Sequence, residues 1–460
     1  MDLVASIKAL SPSWKQATPK ASPKLSVQLG VPGQGFAPGQ TVTGHIHRQA
    51  KAVSPRAWIS VALIGRSVAR LKIEKGMGEN KRTYYYDSNF DLLSGERHVL
   101  FDGPLHVPPD DPYRQSWPFA VPIPTHTSPS IPQKQNPSHC FLPWNPAGYQ
   151  LSQPLPFTFY TSDGTPSSYM EAWVEYYLYA ELAEEHAGKT KVTANSVLPI
   201  TIFPPRTLPA APGPGPGPTM LLHFPHRQVC TVASQRLLPG MEDAKLSFKQ
   251  RAQKLFETSS VPRYSFAVCA QLPTHVSMSL DGPTVPLWLK IGRDAGAVEP
   301  RLEKTEKVVR LTGVEVQLWA GTGVAIENWR LRKGDNYKVS EVARAAAGSP
   351  KDVGPGAGQE RMRGLPVEVP GDGQGEGGEG GVAPLDVGGL LGLRFGVNCV
   401  EVLGERKPMT TIWGVSKVLC PSFVTYNIRR EYQMVVKMEL ELAKETVKVV
   451  FEQGVVVVTG

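Results

Sequence analysis

Hydrophobic and polar positions alternate with period two in several parts of the chain. The clearest run is 171–182. Ala172, Val174, Tyr176, Leu178, Ala180 and Leu182 fall on one side, and Glu171, Trp173, Glu175, Tyr177, Tyr179 and Glu181 on the other. A helix would scatter those carboxylates around its circumference, so the spacing predicts a half-buried strand. Residues 57–65 form an apolar run of strand length. After residue 260 the same alternation returns. Phe266, Val268 and Ala270 form one row, Leu287, Leu289 and Ile291 a second, and Val314, Val316 and Leu318 a third. The strongest is the row from Tyr432 through Met434, Val436, Met438 and Leu440 to Leu442, and a further strand covers Val455–Val458. Only 242–258 has a weak helical pattern. Many short strands separated by turn residues predict an all-β protein of β-sandwich type.

Composition places the interruptions. Gly 44 and Pro 43 in 460 residues make close to a fifth of the chain, against about 12% in an average protein. Both residues disfavour helix interiors, which argues against a large helical bundle. Hydrophobic content of 41% is enough for real cores and argues against a chain disordered throughout. The excess concentrates in a Pro-rich insertion at 118–156, a Pro/Gly-rich stretch at 203–218 and a Gly-rich stretch at 345–390. The first is expected to interrupt one β region, the second to be a hinge, and the third to be a long disordered loop. The expected organisation is a disordered N-terminal tail 1–24, a β-sandwich 25–205, a linker 206–220 and a second β-sandwich 221–460.

Net charge is +8, with the basic excess in residues 1–100 and 201–350. So modest a bias fits an acidic partner or an anionic membrane surface better than nucleic acid. No apolar run reaches the roughly 18 residues of a membrane span, and the N-terminus lacks the pattern of a signal peptide. The cysteines (Cys140, Cys230, Cys269, Cys399, Cys420) are scattered and form no CxxC pair, so neither a disulfide framework nor a zinc site is expected. These features predict a cytoplasmic protein.

Motifs for chemistry are sparse. Gly373–Gly378 matches GxGxxG but has neither a strand before it nor a helix after it, as a pyrophosphate site requires. His45 and His47 share a strand face without a third ligand nearby, and His223 and His226 are similarly isolated. No nucleophile elbow, HExxH or Walker A is found, so no enzyme, metal or cofactor is expected. Pro129-x-x-Pro132 and Pro209-x-x-Pro212 fit the short polyproline ligand pattern. The Pro-Pro-x-Tyr ligand of WW domains is absent. Val261-Pro262-Arg263-Tyr264 is a relaxed version whose tyrosine is expected to belong to the fold. One cluster stands out. Segment 66–82 carries Arg66, Arg70, Lys72, Lys75, Lys81 and Arg82 against Glu74 and Glu79. This density suits anionic lipid headgroups or a phosphorylated tail, the alternative being an ordinary solvated strand and loop.

Several segments, in order, resemble the arrestin-like family, in particular its fungal arrestin-related members. Phe36–Gly44 is similar to the family's entry turn, in which Pro-Gly reverses the chain before the second strand. Leu63–Gly65, Leu100–Pro104 and Trp117–Pro122 resemble the strands that follow, and Val174–Leu178 the most recognisable strand. In the second region, Ser422–Ile428 followed by Tyr432 resembles the closing strands. The resemblance implies two immunoglobulin-like β-sandwich lobes joined by a hinge. It implies an adaptor that grips cytoplasmic parts of membrane proteins and, through a HECT-type ubiquitin ligase, directs them to endocytosis at the plasma membrane or endosomes. The alternatives are an arrestin-fold scaffold in receptor signalling, such as ambient-pH sensing, or a sorting-coat subunit. A β-sandwich enzyme comes last. Two departures matter. Strand Lys191–Phe203 has no arginine and Leu25–Leu29 no carboxylate, so release triggered by phosphate is not expected. Without Pro-Pro-x-Tyr, and with the chain ending just after its last predicted strand, ligase recruitment is expected to need another motif, a second adaptor or a longer product.

Overall fold

The computed structural model describes residues 24–48, 51–76, 80–107, 115–128, 140–141, 152–165, 168–186, 188–204, 224–242, 244–245, 247–248, 250, 261–294, 302, 308–326, 329–338, 365–368, 384–408, 410–411 and 419–459. Its regular structure is nearly all strand, arranged in several antiparallel sheets with no barrel. No helix among the described residues is long and apolar enough to cross a membrane.

The first nine strands are β1 (Leu25–Leu29), β2 (Thr41–Arg48), β3 (Ala52–Lys75), β4 (Arg82–Asp91), β5 (Arg97–Val107), β6 (Ser116–Pro122), β7 (Phe159–Thr165), β8 (Ser168–His186) and β9 (Lys189–Ile200). Next come β10 (His226–Ala233), β11 (Arg263–Gln271), β12 (His275–Ser277), β13 (Trp288–Arg293), β14 (Val308–Ile326), β15 (Trp329–Lys338), β16 (Leu365–Glu368) and β17 (Leu385–Asp386). A single helical turn and a half, α1 (Val387–Leu391), precedes β18 (Arg394–Phe395), β19 (Cys399–Val402), β20 (Glu405–Pro408) and β21 (Thr410–Thr411). The chain closes with β22 (Phe423–Val424), β23 (Ile428–Leu442) and β24 (Glu445–Val458).

The chain divides into two compact units. Unit 1 comprises Met1–Arg206, Gly321–Lys333 and Phe423–Arg430, and unit 2 comprises Thr207–Ala320, Gly334–Ser422 and Glu431–Gly460. The chain thus passes into unit 1 three times. The expected division at 206–220 puts 321–333 and 423–430 in the second region, because no local pattern signals which core a strand end will join.

Unit 1 holds a three-stranded sheet, β1-β2-β6, and a six-stranded one in which β4-β3-β8-β7 run side by side, with β5 also on β3 and β9 also on β8. β3 organises the larger sheet. One edge pairs with β8 from Ala57↔Glu184 to Ile73↔Ser168, and the other pairs first with β5 and then with β4. The β5 register shifts between Ser54 and Ala57, a span that contains Pro55, whose nitrogen has no hydrogen to donate. The inward row of β8 follows the alternation: Ala172, Val174, Tyr176, Leu178, Ala180 and Leu182 are all buried, as are Val42 and Ile46 of β2 and Phe119 and Val121 of β6. Full burial of each Val, Leu, Ile or Phe side chain among them stabilises by about 1.5–3 kcal/mol.

The opposite row of β8 differs from expectation. Trp173, Tyr177, Glu175 and Glu181 are buried as well. Long side chains from the neighbouring strand β3, and from β5 beyond it, account for this. The Arg66 guanidinium lies 5.2 Å from the Tyr177 ring centre, that of Arg70 lies 5.7 Å from Trp173, and Arg97 pairs with Glu181. Aliphatic arginine stems cover ring faces while their charged heads stay near carboxylates.

The returning segments fill the core of unit 1. The Phe423 ring meets Phe157 at 5.0 Å and Phe159 at 4.9 Å, both edge-on. Tyr426 packs on Phe90 with ring centres 5.4 Å apart and donates its hydroxyl to Thr127 Oγ1 at 3.1 Å. Asn427, fully buried, donates to Ser67 O (3.2 Å), Ser88 O (2.9 Å) and Ser88 Oγ (3.2 Å), while its Oδ1 accepts from Ser67 Oγ at 2.5 Å.

Unit 2 contains the sheet β10-β11-β13-β17 and the β18-β19-β20 sheet. Its β23–β24 hairpin runs from Tyr432↔Val455 to Leu442↔Glu445, and β12 adds a short parallel pairing to β24. Phe266, Leu289, Leu318, Met434 and Val436 belong to its core. The expected rows on β11, β13, β14 and β23 are all found, and the strand expected at Val455–Val458 begins earlier, at Glu445.

The two insertions need correction where they are described. Within 118–156, Pro118–Pro122 belong to β6, His126 bridges Pro154, and Cys140 and Leu155 are buried. Within 345–390, β16, β17 and most of α1 are ordered. Val387 is buried, Asp386 Oδ1 caps the turn from Gly389 N at 2.8 Å, and Gly392 in the left-handed region ends it. A glycine-rich composition hid a capped turn whose two glycines, Gly388 and Gly389, lie against other chain atoms. Residues 129–139, 142–151, 345–364 and 369–383 of these insertions, all of the expected tail 1–24 but Lys24, the linker 206–220, the GxGxxG match and both PxxP matches lie outside the described residues. So does most of 242–258.

Candidate functional site

The six basic residues fall on the β3–β4 hairpin of unit 1. Antiparallel pairing sets Arg66 opposite Asp91, Arg70 opposite Asp87, Lys72 opposite Tyr85 and Lys75 opposite Arg82. On its other edge β3 sets Arg66 opposite Glu175 and Arg70 opposite Glu171. Directly opposed residues share a face. Arg66, Arg70 and Lys72 therefore form a basic row on β3, flanked by acidic residues on both neighbouring strands.

That row is largely committed to the protein itself. Arg70 Nε donates to Asp87 Oδ1 at 2.7 Å. Arg66 lies 4.0 Å from Asp91 and donates to the Tyr177 hydroxyl. Lys72 pairs with Glu74 at 2.7 Å, and Lys81 pairs with the other oxygen of the same carboxylate. The two ammonium groups hold the Glu74 carboxyl below its ordinary range, and Glu74 in turn raises Lys72. An external anion would have to displace these carboxylates from Arg66, Arg70 and Lys72.

The end of the hairpin is different. Lys75, Lys81 and Arg82 are exposed. Arg82 makes no ion pair among the described residues, and the Lys75 ammonium sits 5.5 Å from the centre of the Tyr84 ring. Tyr84 is 39% and Tyr85 65% exposed. Gly76, at φ +100°, lets the chain leave β3, and a side chain there would press on the Asn80 carbonyl. Of the six cations Arg66, Arg70, Lys72 and Lys81 are thus ion-paired, and Lys75, Lys81 and Arg82 are the exposed ones. The structure adds Trp173, Tyr177, Asp87, Asp91, Tyr84 and Tyr85, which the reading of the basic cluster did not include. The Tyr84–Tyr86 run directly after the basic segment was the available signal.

Glu175 is a second unusual feature. It is buried, and among the described residues neither carboxylate oxygen has a hydrogen-bond partner. Burial pushes its carboxyl up, the facing Arg66 opposes this, and the Trp173 indole N–H favours the charged form without reaching hydrogen-bond geometry. Burial also pushes the Tyr177 hydroxyl up to about 12.

The other candidates make no constellation. The rings of His45 and His47 stack with centres 6.1 Å apart, and burial together with His45 lowers His47. Among the described residues no group of three or more His, Cys, Asp or Glu side chains is placed to hold a metal ion. His226 hydrogen-bonds Gln453 at 3.0 Å. The five cysteines form no disulfide. Tyr264 is buried in β11. No family model matches the chain, and no curated protein matches it significantly.

Proposed function

We propose that this chain is an arrestin-like adaptor that binds cytoplasmic parts of membrane proteins and links them to ubiquitin-dependent endocytosis. The observation that carries the reading is the placement of the family-like segments on successive elements of an all-β chain. Phe36–Gly44 spans a turn, with Gly39 in the left-handed region and Gln40 N donating to Ala37 O, and leads into β2. Leu63–Gly65 lies in β3, Leu100–Pro104 in β5, Trp117–Pro122 in β6 and Val174–Leu178 in β8, while Phe423–Ile428 spans β22 and the start of β23. In this reading the two units are the two lobes, the protein works by bridging rather than by catalysis, and it resides in the cytoplasm. Bridging raises the local concentration of ligase near lysines of the bound protein. The signalling-scaffold and coat-subunit readings share the architecture and differ in partner.

Proximity labelling from the full-length protein in its native cell tests the reading. Enrichment of transporters or receptors together with ligase subunits is expected. Enrichment of signalling receptors or coat subunits without ligase would replace it with the scaffold reading.

A further inference from the structure

We infer that the open edge of β24 pairs with the same edge of a second copy of this chain, antiparallel and centred on Val450, to make a twofold dimer. Among the described residues β23 pairs with β24 from Glu445 to Val455 on one side, and on the other side only β12 does, from Val456 to Val458. The β23–β24 ladder has no register shift and 445–458 contains no proline. Two of the usual protections of a sheet edge are therefore missing.

The hairpin closes on the pair Leu442↔Glu445 across a two-residue loop. The odd-numbered residues of β24 therefore exchange main-chain hydrogen bonds with β23, and the even-numbered ones turn their N–H and C=O to the open edge. Two contacts show this orientation. Val456 N donates to Thr274 O at 2.8 Å, and Val450 N to Gln228 Oε1 at 3.4 Å. The second is a long contact from an exposed side chain, which an incoming strand can displace.

The side chains at the even positions identify the occupant. Thr446, Lys448, Val450, Glu452 and Gly454 are all exposed, Val450 at 46%. With the twofold axis at Val450, Lys448 of each copy faces Glu452 of the other, and the two Val450 side chains meet. Moving the axis by one residue sets a charge against Val450, and moving it by two sets Lys448 or Glu452 against itself. The strand is thus complementary to itself in one register. Lys448 already meets Glu439 at 2.9 Å, and Glu452 accepts from Gln433 Nε2 at 2.7 Å. An ammonium has three donors and a carboxylate about four acceptor sites, so each keeps its contact while adding the new one. Exposed ion pairs contribute little, so the charges set the register while main-chain pairing and the valines supply the affinity. The interface is small, and a dissociation constant on the order of 10 μM is expected. The inference does not rest on the adaptor reading.

Sedimentation velocity of the full-length protein over a concentration series tests it, and a monomer–dimer equilibrium is expected. Lys448→Glu and Glu452→Lys should each weaken the dimer on the order of tenfold, because like charges then oppose each other twice. Mixing the two single variants should restore it, since every charge then meets its opposite, and so should the double swap Lys448→Glu/Glu452→Lys. Val450→Pro removes a donor that faces the edge rather than β23, so it should abolish the dimer with little change in melting temperature. If Lys448→Glu does not fold beside Glu439, Glu452→Lys and Val450→Pro carry the test. A monomer at every concentration would overturn the inference, as would a dimer indifferent to Val450→Pro or single variants that mixing fails to rescue. Growth beyond the dimer would also overturn it, because a twofold edge pairing closes. A monomer that instead captures an unrelated extended peptide, with Val450→Pro blocking capture, would assign the edge to a different partner.

Discussion

At the residue scale, Glu175 and the β23–β24 turn each carry a measurable cost. Burial raises the folded pKa of Glu175 above its unfolded value. Between the two values the folded state holds more protons than the unfolded state, so stability falls as pH rises through that window. Glu175→Gln should therefore raise the melting temperature at pH 7, by the equivalent of about 1 kcal/mol. The gain should vanish as pH drops below about 4.3, the ordinary glutamate value. A lower melting temperature at pH 7 would show that Arg66 depends on this carboxylate as a counter-ion. The turn is simpler. Ala443 and Lys444 both have positive φ, 52° and 62°, in a two-residue hairpin loop. Such a loop favours Asn-Gly. Ala443→Asn/Lys444→Gly should stabilise by about 1 kcal/mol in urea denaturation, with the slope unchanged.

At the element scale, legibility divides by the range of the information. The row on β8 was legible because alternation is local: Val174, Tyr176 and Leu178 face inward as their spacing requires. Burial of Trp173 and Tyr177 on the opposite side was not. It depends on Arg66 and Arg70 of β3, more than a hundred residues earlier in the chain. The candidate cations were likewise legible as a cluster. The pairing of Arg66 and Arg70 needed the register that sets Asp91 and Asp87 against them. The segment 423–430 is the strongest case. Asn427 in isolation reads as a turn residue, yet it is a fully buried hub for Ser67 and Ser88. Asn427→Ala would remove the buried amide that donates to the Ser67 and Ser88 carbonyls and accepts from the Ser67 hydroxyl. Thermal and chemical denaturation should show a loss of about 3 kcal/mol, whereas Asn89→Ala on the exposed side of β4 should change stability by under about 0.5 kcal/mol. Equal effects would mean that the buried network contributes nothing beyond ordinary packing.

At the scale of the whole molecule, the threefold passage of the chain through unit 1 has a consequence for its folding. Residues 1–206 contain the three-stranded and six-stranded sheets, but not Phe423, Tyr426 or Asn427. Without them Phe90, Phe157 and Phe159 lose aromatic partners, and Ser67 and Ser88 lose their buried amide. Deleting one large buried aromatic costs about 3–5 kcal/mol, and a domain has only about 5–15 kcal/mol in total. A fragment of residues 24–206 should therefore fail to show a cooperative melt and should bind a hydrophobic dye. A synthetic peptide of residues 420–432 added in trans should restore part of the transition. Phe423→Ala and Asn427→Ala versions of the peptide should restore less, which separates specific completion of the core from a general effect of added peptide. A cooperative melt of the fragment alone, at the temperature of the intact protein, would show that the returning segments are accessory to unit 1 and that its core closes without them.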